Sequence, residues 1–231
     1  MRPAGTAAGS KLPVLFWIHG GGYYLGCSDW YTESTLTAAS PIVHAREGGV
    51  ILITINYRLG IFGFLGGDAI AQRTFDGSSG NFGIQDQQAA LKWVAENIDS
   101  FGGDPDRVTI FGESAGGNAV LEHLVRPASF PYYRGAVMQS GGYVASKSRE
   151  AAAMAFNYAV ERANATAGNE LDTLLRLNTT TVATLPMDYR DGHIVVVDGV
   201  ASTAPAHELI ARGEFNRAVP IIITSTRCVE Y

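Results

Sequence analysis

Five continuous apolar runs, none alternating with polar residues, limit what this chain can fold into. They are Val14-Leu-Phe-Trp-Ile18, Val50-Ile-Leu-Ile-Thr-Ile55, Val108-Thr-Ile-Phe111, Ala136-Val-Met138 and Val219-Pro-Ile-Ile-Ile-Thr224. Strands without polar alternation are strands covered on both faces, the pattern of a parallel sheet. Helical patterns lie between them. Ile84, Leu91, Val94 and Ile98 recur at helical spacing and draw one apolar stripe along residues 85–98. Asp86 near its start suits the positive end of a helix dipole, and Phe101-Gly-Gly103 supplies a stop. Asp104-Pro-Asp-Arg107 reads as a turn into the next strand. Residues 115–124 and 148–162 also read as helices. Strands alternating with helices require right-handed crossovers, so the expected fold class is α/β, a mostly parallel sheet with helices on both faces. Residues 164–200 have weak periodicity and many threonines, and read as an irregular insertion in a single domain spanning 1–231.

Composition removes several function classes. Net charge is −5 from 17 basic and 22 acidic residues, with no basic stretch, which argues against a nucleic-acid partner or an anionic membrane surface. No apolar run approaches the ~18–20 residues that span a bilayer, so no transmembrane segment is expected. The opening ten residues lack the apolar region of a signal peptide. Cys27 and Cys228 are too few for a disulfide framework or a four-cysteine zinc site. Without His-x-x-x-His or clustered Cys/His spacing, neither a metal nor another cofactor is expected. Asn164-Ala-Thr166 and Asn178-Thr-Thr180 fit the glycosylation pattern, at a frequency chance can supply. The chain ends just after its last apolar run, so it is expected to be a fragment.

Glycine is the compositional outlier, with 27 residues against a typical share of about 7%. Two clusters carry chemistry. Val108-Thr-Ile-Phe-Gly112-Glu-Ser114-Ala115-Gly116-Gly117 is an apolar strand ending in Gly-x-Ser-x-Gly, followed by a helix pattern. A sharp strand-to-helix turn strains the serine and needs neighbours without a bulky Cβ, and it lifts the hydroxyl to the carboxyl end of the sheet. Pro13-Val-Leu-Phe-Trp-Ile-His19-Gly20-Gly21-Gly22-Tyr23 is a second strand ending in glycines. Such a run lets backbone N–H groups face a cavity and hold a developing oxyanion, with the Ala115 N–H completing the set. A phosphate loop is the competing reading, but no Gly-Lys-Ser/Thr follows.

At this point the sequence resembles the type B carboxylesterases, the serine esterase family that includes cholinesterases and several fungal lipases. The matching stretches are Leu12–Tyr23, Ile55-Asn-Tyr-Arg-Leu-Gly60, Gly80-Asn-Phe-Gly-Ile-Gln-Asp-Gln87, Phe101-Gly-Gly-Asp-Pro105, Phe111-Gly-Glu-Ser-Ala-Gly-Gly117 and Met138-Gln-Ser-Gly141. The resemblance implies an α/β-hydrolase fold, Ser114 as nucleophile, and Gly21, Gly22 and Ala115 as the oxyanion hole. The substrate would be a small-molecule carboxylic ester, attacked to form an acyl-enzyme. Glu113 would be the family's buried acidic neighbour of the nucleophile, or else a helix-start carboxylate. The family's acid falls nearest to Glu230, with a one-residue shift and without the usual aspartate; an ordinary exposed carboxylate is the alternative. By the same resemblance an N-terminal sheet region is missing and the base histidine lies beyond residue 231.

Triad order in this fold is serine, acid, histidine. His193 and His207 follow Ser114, with Asp172, Asp188 and Asp191 between, but both histidines read as surface residues. His19 reads as a backbone partner of the glycine run, and His44 and His123 as ordinary helix residues. Without a base the chain would be an inert α/β-hydrolase-like module, the rival to an active esterase. Tyr23, Tyr24 and Phe82 are candidates for an apolar pocket wall, with core packing the competing role.

Overall fold

The computed structural model describes residues 1–28, 49–142, 146–185 and 194–226. The apolar runs form one parallel sheet of β1 (Leu12–Ile18), β2 (Ile51–Thr54), β3 (Gly103–Glu113), β4 (Gly135–Gln139) and β5 (Ile221–Thr224), in the order β2-β1-β3-β4-β5. The chain passes from β1 to β2 on one side. It then returns across β1 to lay down β3 on the other side and continues outward. The carboxyl ends of β1 and β3 therefore adjoin where the winding reverses, the place in an open α/β sheet where ligands bind.

Between the strands run α1 (Gly60–Phe64), α2 (Asp68–Ala71), α3 (Phe82–Asn97), α4 (Ala115–Leu124), α5 (Arg149–Arg162), α6 (Glu170–Arg176), α7 (Thr179–Ala183) and α8 (Ala206–Ala211). One sheet face is fully covered: Val14, Phe16, Ile18 and Ile110 pack with Leu91 of α3 and Val120 of α4. On the other face Leu52 and Phe111 head a smaller cluster with Leu15, Trp17 and Val137, the Trp17 and Phe111 rings 4.8 Å apart.

Three expectations need correction. The Asp104–Arg107 turn is not a connection before the strand but a bulge inside it: Leu12 pairs with Gly103 and Val14 already with Val108. Asp104 closes the bulge, its carboxylate accepting the Asp106 N–H at 3.1 Å and Arg107 Nε at 2.9 Å. The last apolar run is not covered on both faces. Val219 and Ile221 pack on the core, while Ile222 and Ile223 are 56% and 66% exposed at the sheet edge. The stretch 164–200 is more regular than its threonines suggest, because it holds α6 and α7. Asn178 caps α7 by accepting the Thr181 N–H at 2.8 Å, and Glu170 at the start of α6 accepts the Gly168 N–H at 3.0 Å.

His123 is fully buried on α4, its Nδ1 2.9 Å from Ser129 Oγ and its Nε2 3.1 Å from Gln87 Oε1. Burial, and secondarily the charge of Arg126, lowers its pKa from 6.5 to about 3. An unfolded histidine takes up a proton near 6.5 while the folded ring stays neutral, so stability from this group is complete above pH 6.5 and drains away as pH falls toward 3. Urea unfolding at pH 7.5, 6.5 and 5 should show a loss approaching about 1.4 kcal/mol per pH unit, and a flatter profile in His123→Gln.

Candidate active site

Two segments leave the sheet side by side where the winding reverses. Ile18 ends β1 opposite Gly112, so His19 and Gly20 run on beside Glu113 and Ser114. A Cβ built on Gly20 would stand 3.3 Å from the Ser114 Cβ and 2.5 Å from the Glu113 carbonyl oxygen, which puts the glycine run in contact with the serine.

Ser114 joins β3 to α4 with φ 57° and ψ −121°. Such a backbone costs a non-glycine residue about 1–3 kcal/mol and persists only where its surroundings over-determine it. Here they do. The Ser114 N–H donates to the Gln139 carbonyl at 2.9 Å, and the Ser114 carbonyl accepts the Asn118 N–H at 3.0 Å. The next turn rests on β1 so closely that a Cβ on Gly116 would lie 2.1 Å from the Ile18 carbonyl oxygen. The serine is half-buried, and its hydroxyl makes no hydrogen bond among the described residues.

Peptide planarity orients the neighbouring N–H groups, because each points opposite to the carbonyl of the same peptide unit. The Gly20 carbonyl accepts His19 Nδ1–H at 2.9 Å, which sets the direction of the Gly21 N–H. The Gly21 carbonyl accepts the N–H groups of Tyr24 and Leu25 at 3.2 and 3.1 Å, which sets that of Gly22. The Ser114 carbonyl is drawn into α4, so the Ala115 N–H points out of the helix start. Gly21 has φ 103°, and a Cβ there would meet the Leu25 carbonyl oxygen at 2.2 Å, so only glycine closes this turn. These N–H groups belong to a strand end and a helix start that adjoin.

His19 is fully buried, and desolvation lowers its pKa, so the ring stays neutral with its proton on Nδ1; among the described residues Nε2 has no hydrogen-bond partner. Tyr23 is core, tilted against Phe64 at 4.8 Å, while Tyr24 is 48% exposed with its ring over Gly22. Phe82 lies half-buried beneath the Arg58 guanidinium, 5.3 Å from it. Glu113 is half-buried at the end of β3. His207 is exposed on the first turn of α8 and makes no contact with Ser114 among the described residues. Glu230, Cys228, His193, His44, Asp188 and Asp191 lie outside the described residues. Asp172 is committed elsewhere, in a salt bridge with Arg73. Among the described residues no group of three His, Cys, Asp or Glu is placed to hold a metal, and no helix is long and apolar enough to cross a membrane.

Sequence reasoning passed over Tyr57, whose hydroxyl donates to the His19 carbonyl at 2.7 Å. The signal was present in Ile55-Asn-Tyr-Arg-Leu-Gly60, a stretch with no nucleophile, acid or base to draw notice. Asp86, read as a dipole residue, instead accepts a fork of hydrogen bonds from Arg58, at 2.8 Å from Nε and 2.7 Å from Nη2.

Known proteins match this arrangement over most of the chain. A family model described as the carboxylesterase family matches residues 1–227. The cocaine esterase of Homo sapiens is 38% identical over 96% of this chain and 37% of its own length. A secreted triacylglycerol lipase of Gibberella zeae is 48% identical over 62% of this chain and 24% of its own. The crystal structure of a Geobacillus stearothermophilus carboxylesterase superposes with a TM-score of 0.83 at 36% identity, over 96% of this chain and 47% of that one. The chain thus spans less than half the length of each of these relatives.

The contact between α4 and β1 makes a sharp test. Gly116→Ala sets a methyl group against a main-chain oxygen that has no rotamer to escape into, and should cost about 3 kcal/mol. A thermal melt that shifts by less than a few degrees would contradict this packing.

Proposed function

The chain belongs to the carboxylesterase family, and from that premise we propose that its protein hydrolyses small-molecule carboxylic esters with Ser114 as the nucleophile. One observation carries the reading: a serine in a strained backbone conformation, its hydroxyl without a hydrogen bond among the described residues, in contact with a glycine run whose N–H groups are aimed by their own peptide planes. In this reading residues 1–231 form one α/β-hydrolase domain with 164–200 inserted.

Ser114 Oγ bonds to the ester carbonyl carbon as its proton passes to a base, and the displaced electron pair settles on the carbonyl oxygen. The N–H groups of Gly21, Gly22 and Ala115 receive that oxygen; losing one such donor typically costs about 10²–10³ in rate. The carbonyl re-forms, the alcohol leaves with the proton, and water then hydrolyses the ester on Ser114 to release the acid. The base is an imidazole, oriented by an acid for which Glu230 is the candidate. None of the described histidines touches Ser114: His19 is engaged at Gly20, His123 between Ser129 and Gln87, and His207 is exposed. That placement favours a second reading, a module that binds acyl compounds without turning them over.

A fluorophosphonate probe separates the readings. It should label the wild-type chain at Ser114, located by peptide mapping, and leave Ser114→Ala unlabelled. Turnover of p-nitrophenyl acetate should fall in that variant by a factor on the order of 10⁶. Absence of labelling in the folded wild type supports the inert module; labelling that persists in Ser114→Ala removes Ser114 as the nucleophile.

A further inference from the structure

We infer that Tyr57 is a positioning residue for the glycine run, forming with Gly60 a two-point clamp that presets the Gly21 and Gly22 N–H groups. The inference rests on those groups being the oxyanion donors. Tyr57 is buried, its hydroxyl donating to the His19 carbonyl at 2.7 Å and its ring stacked on the His19 ring at 4.4 Å. Three residues later the Gly60 N–H donates to the Tyr23 carbonyl at 2.7 Å. His19 and Tyr23 are the residues on either side of Gly20-Gly21-Gly22, so one short segment holds the run at both ends.

Glycines have no side chains with which to fix themselves, and their backbone is the most permissive of any residue. Whatever orients the run must therefore act from outside. The hydroxyl of Tyr57 fixes the peptide between His19 and Gly20, and its ring fixes the imidazole. The imidazole then holds the Gly20 carbonyl and, through the peptide plane, the Gly21 N–H. Burial raises the phenol well above its usual range, so it remains a donor at every working pH. The clamp is itself anchored: the Arg58 N–H and Nε reach Asp86 Oδ2 at 3.0 and 2.8 Å, and Nη2 reaches Oδ1 at 2.7 Å, tying the segment to α3 in the core.

Tyr57→Phe keeps the ring and removes the hydroxyl. Tyr133→Phe is the control, because its buried hydroxyl donates to the His123 carbonyl at 3.0 Å, near the opposite end of α4 from Ser114. Hydrogen exchange at the Tyr24, Leu25 and Gly60 amides should quicken about tenfold in Tyr57→Phe and stay unchanged in Tyr133→Phe. The maximal rate of fluorophosphonate labelling at Ser114 should fall about tenfold in Tyr57→Phe, with the half-saturating probe concentration held within about twofold. Asp86→Asn, which loosens the anchor without entering the core, should move both readouts the same way and serves if Tyr57→Phe does not fold. Unchanged exchange in Tyr57→Phe, or labelling slowed equally by Tyr133→Phe at matched folded fraction, overturns the clamp. Altered exchange with an unlabelled wild type sustains the clamp and sinks the Ser114 chemistry instead.

Discussion

The first turn of α4 rests directly on the main chain of β1, and the site is arranged around that contact. Helices usually stand off a sheet by the length of the side chains between them. Here Gly116 meets the Ile18 carbonyl oxygen and Gly112 meets the backbone of Gly116, so the spacing collapses to backbone on backbone. The helix start is thereby delivered to the ends of two strands at once. The strain this imposes on Ser114 is about 1–3 kcal/mol. Burying one residue such as Phe16, Ile18 or Ile110 contributes about 1.5–3 kcal/mol, so one or two core side chains offset it.

Topology supplies the second half of the arrangement. With β1 and β3 adjacent but consecutive with other strands, their loops diverge and leave a crevice between them. A polar network ties the segment ahead of α3 to residues 196–202. Asp198 gathers the N–H groups of Ser79, Val200 and Ser202 at 2.9–3.0 Å. Asn81, just ahead of α3, both donates to and accepts from the backbone of Val196, at 2.8 and 3.0 Å. These ties fix the start of the helix that carries Asp86.

Most of this could be read from the residues, and the exceptions share a cause. Periodicity placed Ala115–Leu124 to the residue, and Ser148 proved to be the cap of α5, accepting the Ala151 N–H at 3.2 Å. Strand existence followed from apolar content, since burial demands it. Pairing did not: the four residues bulged at Asp104–Arg107 are invisible to a pattern that scores one strand at a time. Nor can a run of isoleucines report whether anything lies across it, which is why Ile222 and Ile223 read as core and stand at an edge. The glycine motif and the serine motif announced themselves because the chemistry proposed for them resides in their own atoms. Tyr57 did not, because its role exists only in relation to a carbonyl 38 residues earlier in the chain.

A surface assembled from amide N–H groups has an unusual relation to mutation. Exchanging one side chain for another leaves every backbone donor in being, and only proline, which lacks the hydrogen, can delete one outright. At Gly21, Gly22 and Ala115, variation therefore acts by bending or crowding the main chain. Under the proposed chemistry, heritable loss at these donors should be graded by shape, whereas at the Ser114 hydroxyl it is all or none.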